Sequence, residues 1–295
     1  MPAHPLHRPV LRWYRDHARV LPWRDPDAGP WAVLVSEVML QQTQVARVLP
    51  VYALWLTRWP TPAALAADSP GEAVRLWGRL GYPRRALRLH AAAVACVERH
   101  SGQVPSELDQ LRALPGVGPY TAAAVASFAF GQRHAVMDTN VRRVLARVLA
   151  GHQRPSGSTA GGAELAAAAA LMPDSPRRAA RWAVAVMELG ALVCTARNPE
   201  CAACPIAGHC QWRAGGYPPQ DRPPRRWPGY RGTDREARGA LLAVLRDGIG
   251  QVTRPELDAA VADTLAPGQR DRALASLVAD GLVQPGETNG FSLPR

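Results

Sequence analysis

No lysine occurs anywhere in the 295 residues; all 35 basic side chains are arginine. A mechanism that needs a side-chain amine to form a Schiff base is therefore excluded, and only a terminal amino group could substitute. Acidic residues are scarcer than basic ones, 24 against 35, which leaves a net charge of +11 and points to an anionic polymer as partner. The abundance of Ala, Gly and Pro fits compositional bias as well, so the arginines alone do not establish phosphate recognition. No apolar run has the length of a membrane span, and the opening MPAHPLHRPVLRWYRDH lacks the apolar stretch of a signal peptide. A cytoplasmic protein is expected. Alternating strand-like patterns are missing from the first two hundred or so residues.

What is present there is helical periodicity, in segments near 31–49, 72–80, 86–99, 121–130, 141–150, 163–171 and 179–193. A Pro, Gly and Arg-rich stretch at 214–234 reads as a linker. Beyond it, residues 235–295 read as three helices, a short extended VT at 252–253, and a hairpin around PGETNG, the outline of a winged helix-turn-helix.

Three motifs carry chemistry. In WAVLVSEVMLQQTQVARVL (31–49), Glu37 is surrounded by apolar residues on nearly every helical face, so its carboxyl group is expected to leave bulk water on folding. That is costly without a partner or a task. Either it escapes to solvent or pairs with an arginine, or it is a carboxylic acid kept protonated by desolvation. In LPGVGPYTAAAVASFAF (114–130), Gly116 and Gly118 form a tight turn between two helices, either an ordinary helix–helix turn or, with the first N–H groups of the next helix bare, an anion site suited to a DNA phosphate. In VMDTNVRRVLAR (136–147), Asp138, Thr139 and Asn140 are all N-cap types, and a carboxylate at the mouth of a helix is available to a ligand.

Cys194, Cys201, Cys204 and Cys210 follow with spacing Cys-x6-Cys-x2-Cys-x5-Cys. Four thiols in one loop suit a zinc ion or a cubane iron–sulfur cluster rather than disulfides. Cys96 lies in an apolar helix and is expected in the core.

Taken together, the hairpin, the Asp about twenty residues later and the cysteine loop resemble the helix-hairpin-helix DNA glycosylase superfamily. SEVMLQQTQV (36–45), LGYPRRALRLH (80–90) and MELGALVCTARNPEC (187–201) resemble its adenine glycosylase branch, the MutY family, over roughly residues 9 to 213. The resemblance implies a mainly α fold: a two-subdomain glycosylase core at 1–213, with a six-helix subdomain at about 22–134 and a cluster subdomain formed by 1–21 and 135–213. It implies a [4Fe-4S] cluster on the four cysteines. It also implies duplex DNA carrying adenine mispaired with 8-oxoguanine or guanine as partner; a monomer is expected.

The roles it implies are specific. Glu37 protonates N7 of a flipped adenine, Asp138 stabilises positive charge at deoxyribose C1′, Asn140 hydrogen-bonds near Asp138, and Tyr120 hydrogen-bonds the catalytic Glu. Gln42, Thr43, Leu80 and Tyr82 lie beside the flipped site and the opposite base, and Trp23 and Arg24 at the pocket rim. Strand-cutting members carry Lys where this chain has Tyr120, so a monofunctional enzyme is expected. Typical members end in a Nudix-like domain that reads 8-oxoguanine, and the sixty or so residues after the linker leave no room for one.

Two rivals are weighed against this reading. A thymine or uracil mismatch glycosylase shares the hairpin, Asp and cluster but generally lacks the Glu of SEVMLQQT. A redox-sensing transcription factor would need neither Glu37 nor Asp138.

Overall fold

The computed structural model of the chain describes residues 4–220, 229–248, 250–286 and 289–295. Residues 221–228 of the expected linker and 287–288 of the expected hairpin turn lie outside the described residues. In chain order the helices of the glycosylase-like region are α1 (His7–His17), α2 (Gly29–Leu40), α3 (Val45–Arg58), α4 (Pro62–Ala66), α5 (Pro70–Trp77), α6 (Arg84–His100), α7 (Leu108–Arg112), α8 (Pro119–Phe128), α9 (Thr139–Leu149), α10 (Gly162–Ala170), α11 (Pro176–Leu192) and α12 (Gln211–Ala214). After them come α13 (Asp234–Asp247), β1 (Val252–Thr253), α14 (Arg254–Ala260), α15 (Pro267–Ala279), β2 (Gln284–Pro285) and β3 (Gly290–Ser292). No helix among the described residues is long and apolar enough to cross a membrane.

Two compact units make up the chain: Met1–Val33 with Ser106–Ala113 and Val117–Pro224, and Leu34–Pro105 with Leu114–Gly116 and Arg225–Arg295. The boundaries differ from the expected 22 and 134. The first falls inside α2, and α8 belongs with the N-terminal and cysteine-bearing segments.

The core of the first unit is built by α1, α9 and α11. Leu6, Val10 and Trp13 recur on one face of the N-terminal segment and meet Val141, Val144 and Val148 of α9 and Trp182, Val186 and Leu189 of α11, all buried. Asp138 starts α9 by accepting a hydrogen bond from the Val141 N–H at 2.6 Å, which satisfies one of the bare amides of the first turn.

In the second unit, α4 and α5 pack on α6, and Trp55 meets Trp59 and Trp77 edge-on at ring separations of 4.6 and 5.6 Å. The C-terminal module belongs to this same unit. Its helices α13 and α15 pack together, and its strands form an antiparallel sheet in the order β1-β3-β2, with Val252 opposite Phe291 and Gln284 opposite Ser292. Thr253 and Glu256 close a capping box at the start of α14. The module is joined to α5 by carbonyl-directed arginines. Arg75 donates to the carbonyls of Arg246 and Gly248, and Arg246 donates back to the Val74 carbonyl. At Gly71 an added Cβ would stand 2.3 Å from the Pro294 carbonyl oxygen, so only glycine lets the last strand's tail run this close to α5.

The helix expected to run unbroken through 31–49 is two helices. Apolar periodicity continues across the gap, but the chain turns at 41–44, where Gln42 adopts φ +56°. The turn is held from a distance: the Arg85 guanidinium on α6 donates to the Val38 and Met39 carbonyls at 3.0 Å each, and to that of Gln41. It satisfies acceptors that the end of α2 leaves without helical partners.

Candidate active site and cluster loop

Every residue of α2 from Trp31 to Met39 is buried, Glu37 included at 6% exposure. A helix apolar all round must lie inside the protein, and it takes its one carboxyl group with it. This second unit also carries the turn residues expected beside the flipped base. Gln42 is exposed at the end of α2, and Tyr82 is 50% exposed with φ +48° in the turn before α6. Thr43 and Leu80 lie beneath them, both buried, and the Thr43 hydroxyl donates to the Leu80 carbonyl at 3.5 Å. Gly116 adopts φ +79° and packs so closely on Arg88 that a Cβ would stand 2.7 Å from the arginine Cβ, which accounts for glycine at that point of the hairpin.

The first unit holds the rest. Gly118 is the N-cap of α8 and offers no side chain to its first turn. Tyr120, on that turn, is partly buried against the small cluster of Ala124, Val136 and Ala183. Asp138 is half-buried rather than turned fully outward. Burial pushes its carboxyl group up from the ordinary value, opposed by hydrogen bonds from the Val141 N–H and from the Asn140 amide at 2.7 Å, and by the nearby Arg143 charge. Both oxygens accept, which offsets part of the burial cost of the ionised form.

Arg143 continues this network. It donates to the Asn140 side-chain oxygen at 2.7 Å, to the Gly190 carbonyl at 2.6 Å and to the Cys194 carbonyl at 2.7 Å. Asp138 is thus tied through two side chains to the backbone of the first cysteine. The approach of α11 to α9 depends on Gly190, where a Cβ would stand 2.7 Å from Asn140 Cβ and 2.9 Å from its carbonyl oxygen. Gly190→Ala is expected to push Asn140 aside, cost about 1–3 kcal/mol by overpacking, and slow catalysis. Urea unfolding and single-turnover rates on the same preparation measure both.

Trp23 is buried beside Arg24 in a short 3-10 turn, and Arg24 is engaged within its own unit. It meets the fully buried Glu188 at 2.8 Å, alongside Arg19 at 2.7 Å. Burial pushes the Glu188 carboxyl group up, but the hydrogen bonds from Arg19 and Arg24 outweigh it and hold it at about 2. Removing one partner of a buried pair strands the other charge, so Glu188→Gln is expected to cost about 3–5 kcal/mol of stability at neutral pH. Because the folded value lies below the ordinary one, wild type loses this advantage as pH falls from about 4.5 towards 2. Thermal unfolding of the two proteins across that range should show their difference shrinking with acidity.

Cys194, Cys201, Cys204 and Cys210 are all free and line one cavity with Val144, Leu189 and Ile206. Burial and the neighbouring thiols push Cys204 up to about 11; burial also raises Cys194, opposed by Arg147, whose Nη1 lies 3.3 Å from its sulfur. Thiols this close in an apolar wall are costly as thiolates unless a metal group shares the charge, so the donor set fits a cluster. Among the described residues no three His, Cys, Asp or Glu side chains converge on a single-ion site. Cys96 is fully buried in α6, as its apolar helix led us to expect, and burial pushes its thiol up to about 11.

Sequence reasoning missed Arg85, Arg143, Arg147 and Glu188. A signal for Arg85 existed: it falls in register with Leu89, Ala92 and Cys96 on the buried stripe of α6.

Comparison with known proteins agrees with this geometry. Residues 35–161 match the family model of the HhH-GPD superfamily base excision DNA repair proteins, and residues 194–210 match the iron-sulfur binding domain of endonuclease III. An adenine DNA glycosylase of Mycobacterium tuberculosis is 51% identical over 294 residues, covering 99% of this chain and 95% of that protein. An adenine DNA glycosylase of Homo sapiens is 46% identical over 212 residues, covering 69% of this chain and 38% of that one. The C-terminal module is therefore spanned by the mycobacterial match. Among solved structures, a thermostable thymine-DNA glycosylase superposes with a TM-score of 0.64 at 26% identity, covering 71% of this chain and 95% of that one. With an all-helical core, a carboxyl group buried on α2, a second one capping α9 and an iron–sulfur loop, the chain belongs to the helix-hairpin-helix base excision DNA repair superfamily, in its adenine DNA glycosylase family.

Proposed function

We propose that the chain removes adenine from duplex DNA where it stands opposite 8-oxoguanine or guanine, by hydrolysing the N-glycosidic bond and leaving an abasic site. The observation that carries this reading is the burial of Glu37 on a helix with no exposed face between Trp31 and Met39. A carboxylic acid in such surroundings is suited to give up a proton to a base rather than to solvate a surface.

In this reading the adenine leaves the stack and the Glu37 carboxyl group protonates its N7. The bond from C1′ to N9 breaks, its electron pair passes to the purine, and adenine departs neutral. Asp138, ionised and held by Val141 and Asn140, lies against the positive charge that develops at C1′ until water adds there. Bare N–H groups at the start of α8 and the Gly116–Gly118 turn hold a phosphate. Tyr120 orients the acid; Trp23 and Arg24 border the pocket. Gln42 and Tyr82 fill the vacated space and meet the opposite base, supported from below by Thr43 and Leu80. With no lysine in the chain, no side-chain Schiff base forms and the strand stays intact. The four cysteines would hold the [4Fe-4S] cluster in the unit built on α1, α9 and α11. The protein acts as a monomer in the cytoplasm, on the nucleoid.

A single-turnover assay tests this on duplexes carrying A opposite 8-oxoguanine, G or C, and T or U opposite G, with alkali added to reveal abasic sites. Adenine release opposite 8-oxoguanine and G, with breaks only after alkali, is the expected result. Release of T or U in preference to adenine would overturn it.

A further inference from the structure

Gln42 and Tyr82, the two residues that the proposed function sets against the opposite strand, share an unfavourable backbone. Both are non-glycine residues with positive φ, 56° and 48°, and both are exposed. L residues resist this region, and they stay there only when the surroundings over-determine them. Here one buried side chain supplies most of that determination. Arg85 is 6% exposed, and its Nη1 donates to the carbonyls of Val38, Met39 and Gln41, the residues that lead into Gln42. Its Nη2 donates to the Thr43 hydroxyl and to the Gly81 carbonyl, each at 2.9 Å, so both sides of Gln42 and the residue before Tyr82 are gathered on one guanidinium. Its Cζ also lies 5.1 Å from the centroid of the Trp77 ring and 5.4 Å from that of the Tyr82 ring.

We propose that Arg85 is a positioning residue for opposite-base recognition: it fixes the spacing between Gln42 and Tyr82, and so the preference for adenine opposite 8-oxoguanine over adenine opposite guanine. It rests on the reading that those two residues meet the opposite strand. The planar fork is what the task requires. Its divided donors reach two turns at once, where a lysine ammonium offers a single point.

The test compares Arg85→Lys, Arg85→Met and the milder Thr43→Val with wild type. Rates per active site come from single turnover and active fractions from burst amplitudes, on duplexes with A opposite 8-oxoguanine and opposite G. Arg85→Lys is expected to lower the rate opposite 8-oxoguanine about 100-fold while leaving the guanine duplex much less affected, so that the ratio collapses. Thr43→Val should move the ratio the same way by about tenfold. Adding Gln42→Ala and Tyr82→Leu to Arg85→Lys should lower the ratio little further. A change confined to burst amplitude or melting temperature, equal losses on both duplexes, or additive effects would each overturn the proposal. If Gln42→Ala and Tyr82→Leu leave the ratio at its wild-type value by themselves, the contact assignment fails first and the proposal falls with it.

Discussion

Glu37→Gln is expected to slow adenine release by about 10²–10⁴-fold, the usual worth of a positioned general acid. Glutamine has nearly the same volume and keeps a hydrogen-bonding head, so α2 stays packed on all sides and duplex binding survives. What it cannot do near neutral pH is hand over a proton. The comparison is made by single turnover at enzyme excess, with substrate affinity measured separately. A glutamine protein with full rate on adenine would remove the proposed acid.

Asp138→Asn separates charge from structure in the same way. Asparagine caps helices as well as aspartate does, so the start of α9 and the packing of α1, α9 and α11 should persist, with unfolding midpoints close to wild type. If the proposed role is right, loss of the negative charge should nevertheless cost about 10²–10³-fold in rate, as removal of a preorganised electrostatic contact does elsewhere. The pH profile adds a signed expectation. Burial raises Asp138 above the ordinary 3.8, so the wild-type rate should fall on acidification at a pH above that value, as the carboxylate takes up its proton. Asn140→Ala removes one of the hydrogen bonds that hold the group down, and should move this limb to higher pH. An acid limb unchanged in Asp138→Asn would assign it to another group.

The features legible from sequence were those set by local spacing. A carboxyl group set in nine consecutive residues of helix core had to be buried, and Glu37 is. Asp138 stood three residues before Val141 at a helix start, and it accepts that residue's N–H. The unequal gaps between the cysteines brought all four to one cavity. What could not be read was set by distant partners. The break at Gln42 is invisible in a periodicity that runs on through Val45 and Val48, and the guanidinium that holds the turn is more than forty residues away. The engagement of Arg24 with Glu188 across 164 residues was hidden for the same reason. The grouping of the C-terminal module with the second half of α2 and with α3 to α6 followed from contacts at Gly71, Arg75 and Arg246 that no pattern of apolar residues encodes.

That last joint has a practical meaning for truncation. Since α5 lends the Val74 carbonyl, the Arg75 guanidinium and its bare Gly71 surface to the module, cutting the chain before α13 is not the clean excision of an appendage. It uncovers one side of the unit that carries Glu37, Gln42 and Tyr82. Cooperative melting should then weaken across that whole foldon. A shortened protein that loses activity would report a softened scaffold before it reported any loss of lesion reading.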